Sequence, residues 1–139
     1  MYNSSAIELS KTIRIEKSIL AISTSGGYNL LKNRRIPLSR DPKISYQPDF
    51  ILIKGNKFVV IEMEINTDSM KELIGDILRS GLIGATIFIG IVKNTKTQNL
   101  MEKYGQFLKR KVIELNNMKI YSVSFKNEQN LVKELKKYL

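Results

Sequence analysis

Residues 47–65 read QPDFILIKGNKFVVIEMEI, and the fold turns on how this stretch is read. Two apolar runs, Asp49 to Lys54 and Lys57 to Ile65, flank the dipeptide Gly55-Asn56. A two-residue Gly-X loop suits a type II′ turn, so the pair reads as a β-hairpin. With Gly55 and Asn56 as the loop, Lys54 faces Lys57, Ile53 faces Phe58 and Asp49 faces Glu62. Opposed residues stand about 4.5–5.5 Å apart at Cβ on one face of a sheet. Alternation puts Glu64 on that same face. Asp49, Glu62 and Glu64 are therefore expected to converge.

The second strand is apolar on both faces around its acids, which predicts a central place in the sheet. Carboxylates in such a strand are costly unless paired or metal-bound. Opposed like charges also need compensation. A divalent cation compensates them economically; the alternative is solvated acids on an exposed sheet face. The chain has no His and no Cys, so an all-oxygen site suits Mg²⁺, Mn²⁺ or Ca²⁺ rather than Zn²⁺.

Before the hairpin, residues of about 6–23 read as a helix. Leu9, Ile13 and Leu20 form one stripe, and Ile15, Ile19 and Ile22 widen it. Glu16 falls in or beside that stripe. Tyr28 to Leu31 reads as a short strand, and residues 32–43 as a basic, proline-bearing loop. After the hairpin, a helix is expected over about 69–82, capped by Ser69 with Glu72. Its apolar face is Met70, Leu73, Ile74, Ile77, Leu78 and Leu82. A buried strand from Ala85 to Val92 follows. Next comes a helix over about 97–116 with Leu100, Met101, Tyr104, Leu108, Val112 and Leu115 inward. A strand from Lys119 to Phe125 and a basic helix over 128–138 complete the chain. The order α-β-β-β-α-β-α-β-α predicts an α/β fold, a central mixed sheet flanked by helices, in one domain spanning 1–139.

Composition excludes several chemistries. Without cysteine there are no disulfides, thiolate metal sites or thiol nucleophiles. Without histidine there are no His triads or imidazole bases. Hydrolysis would have to rest on carboxylates, Lys, Tyr, Ser or Thr. The net charge of +10 points to a polyanionic partner, nucleic acid before an anionic membrane surface. The charge is uneven: residues 55–92 hold 3 basic and 5 acidic side chains inside an otherwise basic chain. No apolar run is long enough to span a bilayer, and no secretory leader is visible; an intracellular, cytoplasmic protein is expected.

Three pieces in order, Ile15-Glu16-Lys17, Pro48-Asp49 and Glu62-Met63-Glu64, resemble the PD-(D/E)XK nuclease superfamily. Within it the pattern is most similar to the archaeal Holliday-junction resolvases. The resemblance covers roughly residues 7–92 and implies a restriction-endonuclease-like core. It also implies Mg²⁺- or Mn²⁺-dependent hydrolysis of DNA phosphodiesters, structure-specific or weakly sequence-specific, by a homodimer. Asp49 and Glu62 would hold the cation, and Glu16 would contact a second metal or its waters. Glu64 stands where the family has lysine, and would bind metal or act as general base. Lys71 is the nearest lysine able to reach in. Backbone phosphates would be gripped by Lys32, Arg34, Arg35, Arg40 and Lys43 of the loop and by Lys109, Arg110 and Lys111. The missing lysine supports the alternative of a catalytically inactive, nuclease-like DNA-binding module.

Overall fold

The structure is a computed structural model that describes residues 4–66 and 70–139, with side chains from residue 10 onward. The proposed cap Ser69 and the side chain of the stripe residue Leu9 lie outside what is described. Five strands form the central sheet: β1 (Asn29–Lys32), β4 (Phe50–Lys54), β5 (Lys57–Glu64), β6 (Ile87–Val92) and β7 (Lys119–Ser124), in the order β1-β4-β5-β6-β7. β1, β4 and β5 run antiparallel, while β5, β6 and β7 run parallel, so the sheet is mixed. β5 is its central strand, as its two apolar faces predict.

The hairpin register agrees with the sequence reading: Lys54 pairs Lys57, Ile53 pairs Phe58 and Phe50 pairs Ile61. Gly55 carries the turn at φ +56°, and Asn56 is not left-handed, as a type II′ turn requires. All six residues of β6 are buried, because helices cover both faces of the sheet.

One face is covered by α1 (Ser4–Gly26) and α4 (Glu128–Tyr138). Their Ile15, Ile19, Ile22, Leu131 and Leu135 pack on Phe50, Leu52, Val59 and Ile61. The other face is covered by α2 (Met70–Leu82), α3 (Thr95–Lys111) and a 3₁₀ turn at Ile113–Leu115. There Leu73, Ile77, Met101 and Leu115 meet Ile51, Val60 and Phe88.

Besides Leu82, which is exposed at the end of α2 rather than on its apolar face, three expectations need correction. The inward face of α1 is Ile15, Ser18, Ile19, Ile22 and Ser23; Ile13 and Leu20 are exposed. The serines hide this face from a hydropathy reading, because each returns its hydroxyl to a carbonyl one turn back: Ser18 to Arg14 and Ser23 to Ile19. On α3, Leu100 and Tyr104 are exposed. The helix is rotated so that Thr97, Met101 and Gly105 face inward. Gly105 allows this close approach, since a Cβ there would stand 3.0 Å from Ile120.

The third correction concerns residues 32–43. They are not a plain loop: β2 (Ile36–Ser39) and β3 (Ile44–Tyr46) pair as a separate two-stranded arm. The arm leaves the sheet at Lys32 and returns at Asp49, where the Asn33 N–H donates to the Asp49 carbonyl at 3.0 Å.

Candidate active site

The carboxyls gather where β4 begins and β5 ends. Asp49 lies one residue before β4, just beyond the last paired residues, Phe50 and Ile61. Side chains take over from the ladder there. The Asp49 N–H donates to Glu62 Oε1 at 2.6 Å, and the Met63 N–H donates to Asp49 Oδ2 at 2.7 Å. Glu64 shares the face two residues on, half-buried.

Two partners come from elements outside the hairpin. Tyr46, at the end of β3 and buried, donates its hydroxyl to Glu62 Oε2 at 3.0 Å and lies 3.4 Å from Ser80 Oγ. Asp76, on the inward face of α2, is only 5% exposed. Its Oδ1 accepts from Arg79 Nη2 at 2.8 Å, while its buried Oδ2 has no amide, guanidinium or alcohol donor among the described residues and depends on protons held by the Glu62 and Glu64 carboxyls beside Asp76. The carboxyls of Glu62 and Glu64 both lie within reach of Asp76.

Sequence reading missed Tyr46, Asp76, Arg79 and Ser80. A signal was present for two of them. Asp76 and Ser80 follow Leu73 at i+3 and i+7, on the stripe that also carries Ile77.

The electrostatics match the crowding. Burial first, then the neighbouring charges of Asp76 and Asp49, push the Glu62 carboxyl up to about 9. Burial first, then Asp76, pushes Glu64 up to about 8. Burial also raises Asp49, against the lowering effect of its Met63 hydrogen bond. Tyr46 is raised by burial and by the charge of Glu62. These shifts describe carboxyls that hold protons because nothing else neutralises them fully.

Glu16 stands apart from this group. It sits on α1, across the sheet, and its Oε2 pairs with Lys32 Nζ at 3.0 Å. Its charge still reaches Asp49.

Four carboxylates with no imidazole or thiolate form a donor set suited to an oxygen-seeking divalent cation. Once Glu62 and Glu64 are ionised, Asp76 Oδ2 is left without a donor, the kind of buried atom such an ion satisfies. Among the described residues, however, no three acidic side chains are already spaced to hold a metal.

The expected basic residues separate into two places. Lys32, Arg34, Arg35, Arg40 and Lys43 are exposed on β1 and the arm, at the carboxylate edge of the sheet. Arg35, Arg40 and Lys43 line, with Ser39 and Ser45, an open cavity of about 320 Å³. Lys109, Arg110 and Lys111 occupy the last turn of α3. Because α3 carries the chain from the end of β6 back to the start of β7, that turn lies at the opposite edge. At a rise of 1.5 Å per residue, the helix puts it roughly 25 Å away from the carboxylate edge. Lys71 is exposed on the first turn of α2.

Among the described residues, no helix is long and apolar enough to cross a membrane. No protein-family model and no curated protein matches the chain. A solved structure described as a protein of unknown function, AF1548, is similar in fold, with a TM-score of 0.51 at 11% sequence identity. The match covers 88% of this chain and 66% of that one, so this chain spans just under two thirds of its length. At that identity the likeness speaks for the α/β architecture alone.

Proposed function

We propose that this protein is a divalent-metal-dependent DNA endonuclease with a restriction-endonuclease-like core, structure-specific or weakly sequence-specific. The observation that carries this reading is the meeting of Asp49, Glu62, Glu64 and Asp76 at the end of the central strand of a chain with net charge +10. An acidic site inside a basic surface is what cleavage of a polyanion requires: one charge sign draws in the phosphates, the other holds the cation that offsets them.

Asp49 and Glu62 would hold Mg²⁺ or Mn²⁺. That ion supplies Lewis acidity at a phosphate oxygen and lowers the cost of deprotonating water. Glu64 takes the proton. It stands on the same face of β5 two residues beyond Glu62, placed to accept a proton from a water between them once the cation offsets the neighbouring charges. The water oxygen joins phosphorus, one P–O ester bond breaks, and the leaving oxygen takes up a proton. Tyr46 and the Asp49 N–H orient Glu62 through its two oxygens. Glu16, paired with Lys32, contributes negative charge from across the sheet. The β2–β3 arm grips backbone phosphates through Arg34, Arg35, Arg40 and Lys43. A homodimer belongs to the proposal through the family resemblance.

Glu64 in the lysine position favours a second reading, a DNA-binding module that does not cut. Incubation of supercoiled plasmid with Mg²⁺, Mn²⁺ or EDTA separates the two. The nuclease reading expects metal-dependent nicking by the wild-type chain and none by Asp49→Asn. Equal cutting by both would remove Asp49 from the site.

A further inference from the structure

Building on the nuclease reading, we propose that Arg79 is the phosphate-contacting cation of this site, taking the place of the lysine that Glu-x-Lys sequences carry on β5. Three observations fix its guanidinium. Nη2 donates to Asp76 Oδ1 at 2.8 Å. The guanidinium carbon stands 5.1 Å from the centre of the Tyr46 ring. Gly75 leaves the space beneath: a Cβ there would stand 3.3 Å from Nη1 and 3.4 Å from Nη2.

Both residues that seat Arg79 also touch the acid group. Asp76 reaches Glu62 and Glu64, and Tyr46 donates to Glu62. The positive charge is therefore built into the same assembly as the carboxylates. Its side chain remains 39% exposed, and Nη2 is the one nitrogen of the fork that Asp76 engages. A guanidinium has five N–H donors in a plane that matches two oxygens of a phosphate. Arg79 thus offsets charge growing on the non-bridging oxygens while the P–O bonds form and break, and takes no part in proton transfer.

The pair with Asp76 has a competing explanation as a device of folding alone, and the test separates the two. Cleavage of a labelled four-way junction and a labelled duplex in Mg²⁺ is compared for wild type, Arg79→Gln and Arg79→Lys. Binding of the same DNA in EDTA and the folded fraction at the assay temperature are measured alongside. Arg79→Gln keeps an N–H donor for Asp76 and loses the charge. It is expected to cut about 100-fold more slowly at saturating DNA, as when one donor to a transition-state oxyanion is removed. Its binding in EDTA should stay within about threefold, as suits a contact used mainly in the transition state. Arg79→Lys keeps the charge without the fork and is expected to recover part of the rate.

Cutting by Arg79→Gln at the wild-type rate overturns the assignment, as does a loss that only follows the folded fraction. Should Arg79→Gln not fold, sulfur replaces a non-bridging oxygen of the scissile phosphate, and its effect is compared in wild type and Arg79→Lys. A sulfur effect altered by tenfold or more in the lysine variant supports the contact; identical effects overturn it. A wild-type chain that cuts nothing in any metal overturns the nuclease reading and the arginine's role together. A wild-type chain that cuts, beside an Arg79→Gln that cuts equally well, overturns the arginine assignment alone.

Discussion

The main-chain N–H of Asp49 donates to the carboxylate of Glu62 at 2.6 Å, and this bond makes the hairpin register and the acid site one feature. A one-residue slip would move every side chain of β5 to the other face. Glu62 would then enter the layer of Phe50 and Ile61, and the carboxyls would no longer meet.

Stability of the metal-free protein should fall as pH rises. Glu62 and Glu64 have folded values of about 9 and about 8, against an ordinary 4.5. Between those limits the folded chain binds more protons than the unfolded chain. The stabilisation is full below about 4.5 and is lost as pH passes the folded values. The slope is up to about 1.4 kcal/mol per pH unit for each proton held only in the folded state. Urea titrations in EDTA at about pH 5, 7 and 9 measure it. Glu62→Gln should flatten the slope; an unchanged slope would count against the burden placed on Glu62.

Divalent cations should reverse that loss. In the proposed reading Mg²⁺ or Mn²⁺ would bind the ionised carboxyls, so the rise in melting temperature should be larger at pH 8 than at pH 5. At a cation concentration of 100 times its Kd the gain is about 2.7 kcal/mol. Asp49→Asn and Glu62→Gln should each remove most of it. An equal shift in the variants would place the binding elsewhere.

Tyr46→Phe should destabilise the fold by about 1–3 kcal/mol, because it leaves the buried Glu62 Oε2 without its O–H donor. The cost should be greater at pH 9, where Glu62 is more ionised, than at pH 5. Urea titrations at the two values test the difference, and a cost independent of pH would separate Tyr46 from the ionisation of Glu62.

The two basic groups should differ in their grip on DNA. Replacing Arg35, Arg40 and Lys43 by Ala should lower the salt dependence of binding, by about 0.9 in log–log slope for each lost phosphate contact. Replacing Lys109, Arg110 and Lys111 should change it little, since they lie at the opposite edge. Fluorescence titrations over a range of salt concentrations decide this. A larger effect from the α3 group would move the binding face.

Much of the hairpin could be read from sequence, because its information is local. The Gly55-Asn56 turn sets the register, alternation sets the faces, and Val59-Val60-Ile61 marks a strand covered on both sides. Glu16 was legible as a boundary residue, and its pairing with Lys32 needed the tertiary fold. Asp76 was legible in part, since it falls on the stripe of Leu73 and Ile77, but its meeting with Glu62 and Glu64 needed the packing of α2 against β5. The β2–β3 arm was hidden because its four- and three-residue strands contain Pro37 and Ser39 and carry little alternation. Lys109, Arg110 and Lys111 showed their charge in sequence, but the edge of the sheet they occupy depends on the direction of α3.

The central claim is tested most directly by incubating linear duplex, single strand, fork and four-way junction with the wild-type chain and with Glu62→Gln. Each is assayed in Mg²⁺, Mn²⁺ and EDTA. The account predicts cutting by wild type in Mg²⁺ or Mn²⁺, none in EDTA, and a loss of about 100-fold or more in Glu62→Gln, as for removal of a group acting in the transition state. Salt-sensitive binding without cutting in any metal, the same for both proteins, would contradict it and leave a DNA-binding scaffold.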